Sequence, residues 1–200
     1  MIISSGWAKG LALKTPKGET TRPTSARVRG AILNMCAPWL EDALILDLFG
    51  GSGALGIEAV SRGGRGAIFV EQDRLALGAL RPNVAELQRR ALTQDLELGP
   101  VEVVPGDAAR LVADGRTLGR WGRFDVVFVD PPYADAPMWA DVLLRALPSL
   151  MSPEGILVFE TALGQGAEAV SRIGAEEGWE VLKQKAYGDT MVTVLSKSVP

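Results

Sequence analysis

An α/β fold, a mostly parallel sheet of seven strands with helices between them, is what this 200-residue sequence predicts. Three observations carry the expectation. From Leu44 onward, short apolar runs alternate with stretches of helical period, the rhythm of a parallel sheet. A glycine loop, Gly50-Gly51-Ser52-Gly53-Ala54-Leu55-Gly56, lies between the first run and the first helix of that series, where α/β folds bind ligands. The run Phe124 to Val129 is apolar almost throughout, as a strand buried on both faces must be.

In order, residues 1 to 22 hold Gly6, Gly10 and Gly18 among short apolar alternations with a Thr15-Pro16-Lys17-Gly18 turn, which predicts a β-hairpin or extended arm. Pro23-Thr24-Ser25 starts a helix in which Val28, Ala31, Ile32, Met35 and Cys36 form the apolar stripe up to Pro38, leaving Arg27 and Asn34 free for a ligand or water. Strands follow at Leu44 to Phe49, Ala67 to Val70, Val101 to Val104, Phe124 to Val129 and Gly155 to Glu160. Trp179 to Ala186 and Met191 to Ser196 form a terminal antiparallel pair around Tyr187-Gly188-Asp189-Thr190. Helices are expected from Ala54 to Arg62, from Asp73, over Asp107 to Ala113, over Trp139 to Leu147 and over Gly166 to Glu177. Pro82 should kink or end the second of these, with a further helical piece from Val84 to Leu92, and Asp114 to Arg123 reads as a surface loop. The organisation expected is a basic arm with its helix over 1–40 and an α/β domain over 41–200.

Composition narrows the chemistry. Histidine is absent and Cys36 is the single cysteine. The commonest general base and metal ligand are therefore missing, no metal is expected, and no internal disulfide can form. No apolar run has membrane-spanning length and the first residues lack the pattern of a signal peptide, so a cytoplasmic protein is expected. The formal charge of −3 is unevenly spread: residues 1 to 40 carry Lys9, Lys14, Lys17, Arg22, Arg27 and Arg29 against Glu19 alone, a net of +5, and the rest carries −8. A basic arm on an acidic body fits a polyanion docking at one end.

Asp130-Pro131-Pro132-Tyr133 closes the buried strand. Proline fixes φ and lacks an N–H, so the carbonyls here are held rigid and remain free to accept. A carboxylate, fixed acceptors and an aromatic face together suit a planar group with N–H donors, such as a nucleobase amine. The glycine loop on its own is ambiguous. Gly51-x-Gly53-x-x-Gly56, with Glu71 placed 20 residues after Gly51, also matches a dinucleotide fingerprint, so a nicotinamide-dependent oxidoreductase competes. Asp47, just ahead of the glycines, weighs against pyrophosphate and for a positively charged ligand such as a sulfonium with a free amino group. Gly50 and Gly51 would allow close approach of that ligand, and Gly53 close packing of the helix start. Glu71 can accept from both hydroxyls of a ribose and Asp107, in Gly106-Asp107-Ala108, from an adenine amine. With Asp130 they would set acids on three adjacent strand ends.

Thr21-Arg22-Pro23-Thr24-Ser25-x-Arg27-Val28-Arg29, Asp47-Leu48-Phe49-x-Gly51-Ser52-Gly53-Ala54-Leu55-Gly56-x-Glu58-Ala59-x-Ser61-Arg62-Gly63, Asp130-Pro131-Pro132-Tyr133 and Tyr187-Gly188-Asp189-Thr190 resemble the RsmD-type bacterial methyltransferases along essentially the whole chain. The resemblance implies a Rossmann-like class I S-adenosylmethionine-dependent methyltransferase with one antiparallel strand and an N-terminal β-hairpin arm. The reaction it implies is methylation of the exocyclic N2 of one guanine in small-subunit (16S) ribosomal RNA, by a monomer acting on RNA within a small subunit or its assembly intermediate. It assigns cofactor binding to Asp47, Phe49, Gly50, Gly51, Ser52, Gly53, Glu71, Gln72, Asp107, Ala108 and Asp130. Catalysis falls to Asp130, Pro131, Pro132 and Tyr133, and RNA contact to Lys9, Lys14, Arg22, Thr24, Arg27 and Arg29. Another amino-group methyltransferase, acting on DNA adenine, a different RNA base or a protein amide, would share the Asp-Pro-Pro-Tyr chemistry.

Overall fold

The computed structural model describes residues 1–16, 26–131 and 136–197. Seven strands form one mixed sheet in the order β3-β2-β1-β4-β5-β7-β6, and the chain divides into two compact units, Met1–Asp107 and Ala108–Pro200.

In the first unit, β1 (Leu44–Asp47) is buried at all four residues and pairs in parallel with β2 (Gly66–Glu71), which pairs in parallel with β3 (Val101–Pro105). A strand covered on both faces must be apolar on both, which is why these runs do not alternate. Helix α1 (Ala26–Cys36) buries Arg29, Ile32, Leu33 and Cys36. The stripe is thus turned from the expected one, and a charged residue holds one of its positions. Helix α2 (Ala54–Ser61) follows the glycine loop. Helix α3 (Arg74–Thr93) is capped by Asp73, whose carboxylate accepts the Ala76 N–H at 2.8 Å.

Pro82 neither ends α3 nor splits it: one 20-residue helix runs through it. The missing N–H and ring crowding cost about 3 kcal/mol. Ala76, Ala79 and Leu80 before it and Val84, Leu87 and Ala91 after it are buried on one stripe, and burial contributes about 1.5–3 kcal/mol for each of the large side chains, so packing outweighs the break.

The arm is docked on this unit. Ile2 and Ala12 form an antiparallel bridge, Ile3 N–H donates to Leu11 O at 2.9 Å, and Ile3, Ala8, Leu11 and Leu13 are buried. Gly6 sits against the end of α2 with φ +80°, where a Cβ would lie 1.7 Å from the Ser61 carbonyl oxygen, so no other residue fits. Trp7 donates its backbone N–H to Ser61 O at 2.9 Å and its indole N–H to Val60 O at 3.1 Å. The arm and α1 bury their apolar faces within the first unit.

The second unit comprises α4 (Ala108–Asp114), α5 (Arg116–Gly119), β4 (Phe124–Val129), α6 (Ala136–Ala146), β5 (Met151–Ala162), α7 (Gln165–Glu176), β6 (Trp179–Tyr187) and β7 (Thr190–Lys197). Strands β4 and β5 pair in parallel, and β7 runs antiparallel to both β5 and β6. The expected loop over 114–123 holds α5, pinned by the fully buried Leu118. Trp179 donates its indole N–H to Leu144 O at 2.8 Å, fixing the start of β6 to α6. Gly188, at φ +67°, and Asp189 make the two-residue turn between β6 and β7. Among the described residues no helix is long and apolar enough to cross a membrane.

Candidate functional site

The glycine loop is defined by where its N–H groups go. Gly50 N–H donates to Val70 O at 2.9 Å and Gly53 N–H to Gly50 O at 2.6 Å. Gly51 N–H donates to Glu71 Oε2 at 2.8 Å, and Gly56 N–H, in the first turn of α2, to Asp47 Oδ2 at 3.2 Å. These are the donors with which a glycine loop and helix start would cradle a pyrophosphate. Four are already spent, two of them on carboxylates. A ligand arriving here meets the negative field of Asp47 and Glu71 instead of free amides, so the loop suits a cationic ligand and opposes a dinucleotide phosphate.

The glycines divide by task. A Cβ on Gly53 (φ +82°) would lie 2.6 Å from Leu80 Cδ1, and one on Gly56 2.5 Å from Phe69 Cε1, so both serve packing. A Cβ on Gly50 would also face protein, 3.3 Å from Leu80 Cδ2. Gly51 (φ +53°) has nothing nearer than Phe49 O at 3.9 Å, and is where a ligand can come close. Phe49 and Ser52 beside it are half-buried.

Glu71, at the end of β2, is half-exposed and also takes the Gln72 and Asp73 N–H groups on Oε1, each at 2.8 Å. A carboxylate offers about four acceptor positions. Three are filled by backbone, which leaves about one for a ribose hydroxyl. Gln72 is exposed beside it, Asp107 half-buried after β3, and Ala108 buried at the start of α4. The expectation that Glu71, Asp107 and Asp130 end three adjacent strands is corrected by the strand order: β3, β2 and β1 adjoin, so the neighbouring acids are Asp107, Glu71 and Asp47. In the second unit Asp130 is half-buried at the end of β4 and Pro131 is buried. Pro132 and Tyr133 lie outside the described residues, as do Arg22 and Thr24. Among the described residues no cluster of Cys, Asp and Glu could hold a metal ion.

Lys9, Lys14 and Arg27 are exposed. Arg29 is not a phosphate ligand: it is 1% exposed, its Nε–H donates to Glu58 Oε2 at 2.8 Å, and its Nη2 to Ile2 O at 2.8 Å. It ties α1, α2 and the arm together. Glu58, itself fully buried, also accepts Arg62 Nη2 at 2.7 Å and the Ser4 hydroxyl at 2.5 Å. Burial pushes its carboxyl up, but the hydrogen bonds from Ser4, Arg62 and Arg29 outweigh it and hold it below the usual range. Arg62 Nη1 donates to Asn34 Oδ1 at 2.8 Å, so Asn34 is engaged and not free.

Two residues escaped sequence reasoning, Glu58 as an ion-pair hub and Asn83 of α3. Asn83 is 3% exposed and bonds both the arm and the Ser52 carbonyl. A signal existed: Asn83 falls on the apolar stripe of α3 at i+3 from Leu80 and i−4 from Leu87, and a polar residue on such a stripe needs internal partners.

The family model described as "Conserved hypothetical protein 95" matches residues 1–196. YlbH of Bacillus subtilis is 36% identical over 199 residues, covering 98% of this chain and 99% of that protein. Ribosomal RNA small subunit methyltransferase D of Escherichia coli is 32% identical over 187 residues, covering 94% of this chain and 84% of that one. Among solved structures, yhhF from Escherichia coli superposes with a TM-score of 0.75 at 28% identity, covering 98% of this chain and 97% of that chain.

Proposed function

Because this chain belongs to the Conserved hypothetical protein 95 family, we propose that it methylates small-subunit ribosomal RNA from S-adenosylmethionine, with the exocyclic N2 of a guanine as acceptor. The observation that carries the cofactor reading is the commitment of the Gly51 and Gly56 amides to the Glu71 and Asp47 carboxylates. That donor set fits a sulfonium with an amino group and a ribose, and opposes the nicotinamide alternative. The relative named ribosomal RNA small subunit methyltransferase D supports the substrate class. An enzyme of that substrate belongs in the cytoplasm.

Asp47 and Glu71 would hold the cofactor by its charge and one ribose hydroxyl, Gly51 would let it close on the backbone, and Asp107 would accept from its adenine amine. Bound there, the cofactor supplies an electrophilic methyl group. The guanine amine is a poor nucleophile because its lone pair is delocalised into the ring. Asp130 and the Pro131 carbonyl accept its two N–H bonds, turning the nitrogen towards a tetrahedral shape and freeing the lone pair. Attack needs that lone pair at a near-attack distance of roughly 3 to 3.5 Å. A carboxylate is too weak a base to deprotonate an aryl amine beforehand. After transfer the nitrogen is cationic, and Asp130 takes its proton. Tyr133 would stack on the extruded base, which contributes about 1–3 kcal/mol. Lys9, Lys14, Arg22, Thr24 and Arg27 would contact the RNA backbone.

The test is calorimetric titration with S-adenosylhomocysteine beside NADH, then tritiated methyl transfer onto undermethylated small subunits and onto their stripped RNA. Binding of the homocysteine alone, with label on one guanine N2, is the expected result. Heat from NADH would reinstate the oxidoreductase, and binding without label on either RNA form would move the acceptor to DNA or a protein amide.

A further inference from the structure

Asn83 spends its whole amide on two segments that sequence keeps far apart. Oδ1 accepts the Lys14 N–H at 2.8 Å, while Nδ2 donates to Lys14 O at 2.9 Å and to Ser52 O at 2.7 Å. Lys14 belongs to the basic arm and Ser52 to the glycine loop. The amide is planar, with its donors and acceptor at fixed angles, so the two bonds to Lys14 set its plane and thereby aim the remaining N–H at Ser52. On its opposite side the loop is held by Glu71 through Gly51. A cleft of about 470 Å³, lined by Gly10, Leu11, Lys14, Asn83, Glu86 and Arg90, opens on this same junction. Glu86 there pairs with Arg89 at 2.6 Å, Arg90 Nη2 donates to Lys9 O at 3.0 Å, and Lys14 and Arg90 are the basic residues of the lining.

We infer that Asn83 is a positioning residue that couples RNA docking on the arm to cofactor binding by the glycine loop. The inference rests on the RNA methyltransferase reading. A phosphate drawn to the Lys14 ammonium steadies the arm backbone at Lys14. The steadied backbone keeps the Asn83 amide plane in place, and the amide keeps the Ser52 carbonyl, and with it the loop, in its binding shape. When Lys14 shifts, the plane turns and Ser52 O loses its donor. Coupling of this kind is reciprocal, so RNA and cofactor each raise affinity for the other by one common factor. A single shared amide places that factor at the low end of the usual range, about fivefold.

The dissociation constant of S-adenosylhomocysteine is measured with and without undermethylated small subunits, for the unaltered protein and for Asn83→Ala, Asn83→Gln and Asn83→Asp. The expected ratio is about five for the unaltered protein and about one for Asn83→Ala and Asn83→Gln, with KM for S-adenosylmethionine rising more than kcat falls. Gln keeps the amide but displaces it, so rescue by Gln would overturn the geometric argument. Asn83→Asp still accepts from the Lys14 N–H but turns an oxygen on both Lys14 O and Ser52 O. Where it folds it should bind the cofactor more weakly than Asn83→Ala, and Asn83→Gln, which keeps a neutral amide, serves as the folded variant should Ala melt the protein. A ratio of five retained in any folded variant, or a ratio of one in an unaltered protein that methylates RNA, overturns the coupling alone. An unaltered protein that neither binds the homocysteine nor transfers methyl overturns the functional reading and the coupling with it.

Discussion

Replacing Arg29 with methionine separates two roles for the most deeply placed cation of the first unit. Arg29 is 1% exposed, paired with a fully buried Glu58, and bonded to the Ile2 carbonyl. Removing one partner of a buried ion pair costs about 3–5 kcal/mol, because the other charge stays desolvated. Glu58 keeps Arg62 and Ser4, which favours the low end of that range, and the lost bond to Ile2 O adds about 1 kcal/mol. The total is about 4 kcal/mol. At about 2–4 °C per kcal/mol for a chain of this length, the melting temperature should drop by roughly 8–16 °C. Urea unfolding followed by the fluorescence of the five tryptophans reads the stability, and RNA affinity is measured on the same samples at one salt concentration. Adding Glu58→Gln removes the stranded charge while keeping acceptors for Ser4 and Arg62, so the double variant should be more stable than Arg29→Met alone. Unchanged stability with a large loss of RNA affinity would refute the reasoning and return Arg29 to the RNA surface.

The Glu58 carboxyl is held below its ordinary value of 4.5, so its contribution is complete above that pH and lost as pH falls through the lower, folded value. Below about pH 4.5 the unaltered protein should therefore lose stability more steeply than Glu58→Gln, and parallel acid-unfolding curves would contradict the ion-pair hub. Gly53→Ala forces a Cβ to 2.6 Å from Leu80 Cδ1 at φ +82°, and should weaken S-adenosylhomocysteine binding by roughly 5- to 150-fold by calorimetry, since backbone strain of this kind costs about 1–3 kcal/mol. Asp130→Asn should lower the rate of methyl transfer by about 10²–10⁴-fold with cofactor affinity almost unchanged, and joint loss of both would place Asp130 in cofactor binding instead. Deleting residues 1–13 should abolish soluble folded protein, because Ile3, Ala8, Leu11 and Leu13 leave the core, and a folded, cofactor-binding truncation would show the arm to be separable.

The strands were the easiest part of the fold to foresee. β1, β2 and β4 carry apolar residues on both faces, as strands covered on both sides must. The acid at each strand end could be found the same way, since a carboxylate closing an apolar run has few other uses. What the sequence hid was the consequence of tertiary packing. Arg29 looked like a surface cation because its neighbours at 27 and 28 are exposed or half-exposed, yet it occupies an interior position of α1 beside Ile32 and Leu33. Pro82 looked like a helix end because local propensity favours one, and the stripe on either side of it decided otherwise. Glu71 was expected to serve a ligand alone. Its three backbone donors come partly from a loop 20 residues earlier, a closeness no local pattern encodes.

The docked arm also sets an order of events during synthesis. Trp7 bonds to Val60, 53 residues later, and Lys14 to Asn83, 69 residues later. At about 5–20 residues per second, the ribosome needs roughly 3–14 s to reach Asn83 after making Lys14. Throughout that interval Ile3, Leu11 and Leu13 have no core to enter, so a nascent chain exposes this apolar segment before its partners exist. The stretch from Ile3 to Leu13 is thus open to a chaperone, or to an early misfolding event, for that whole interval.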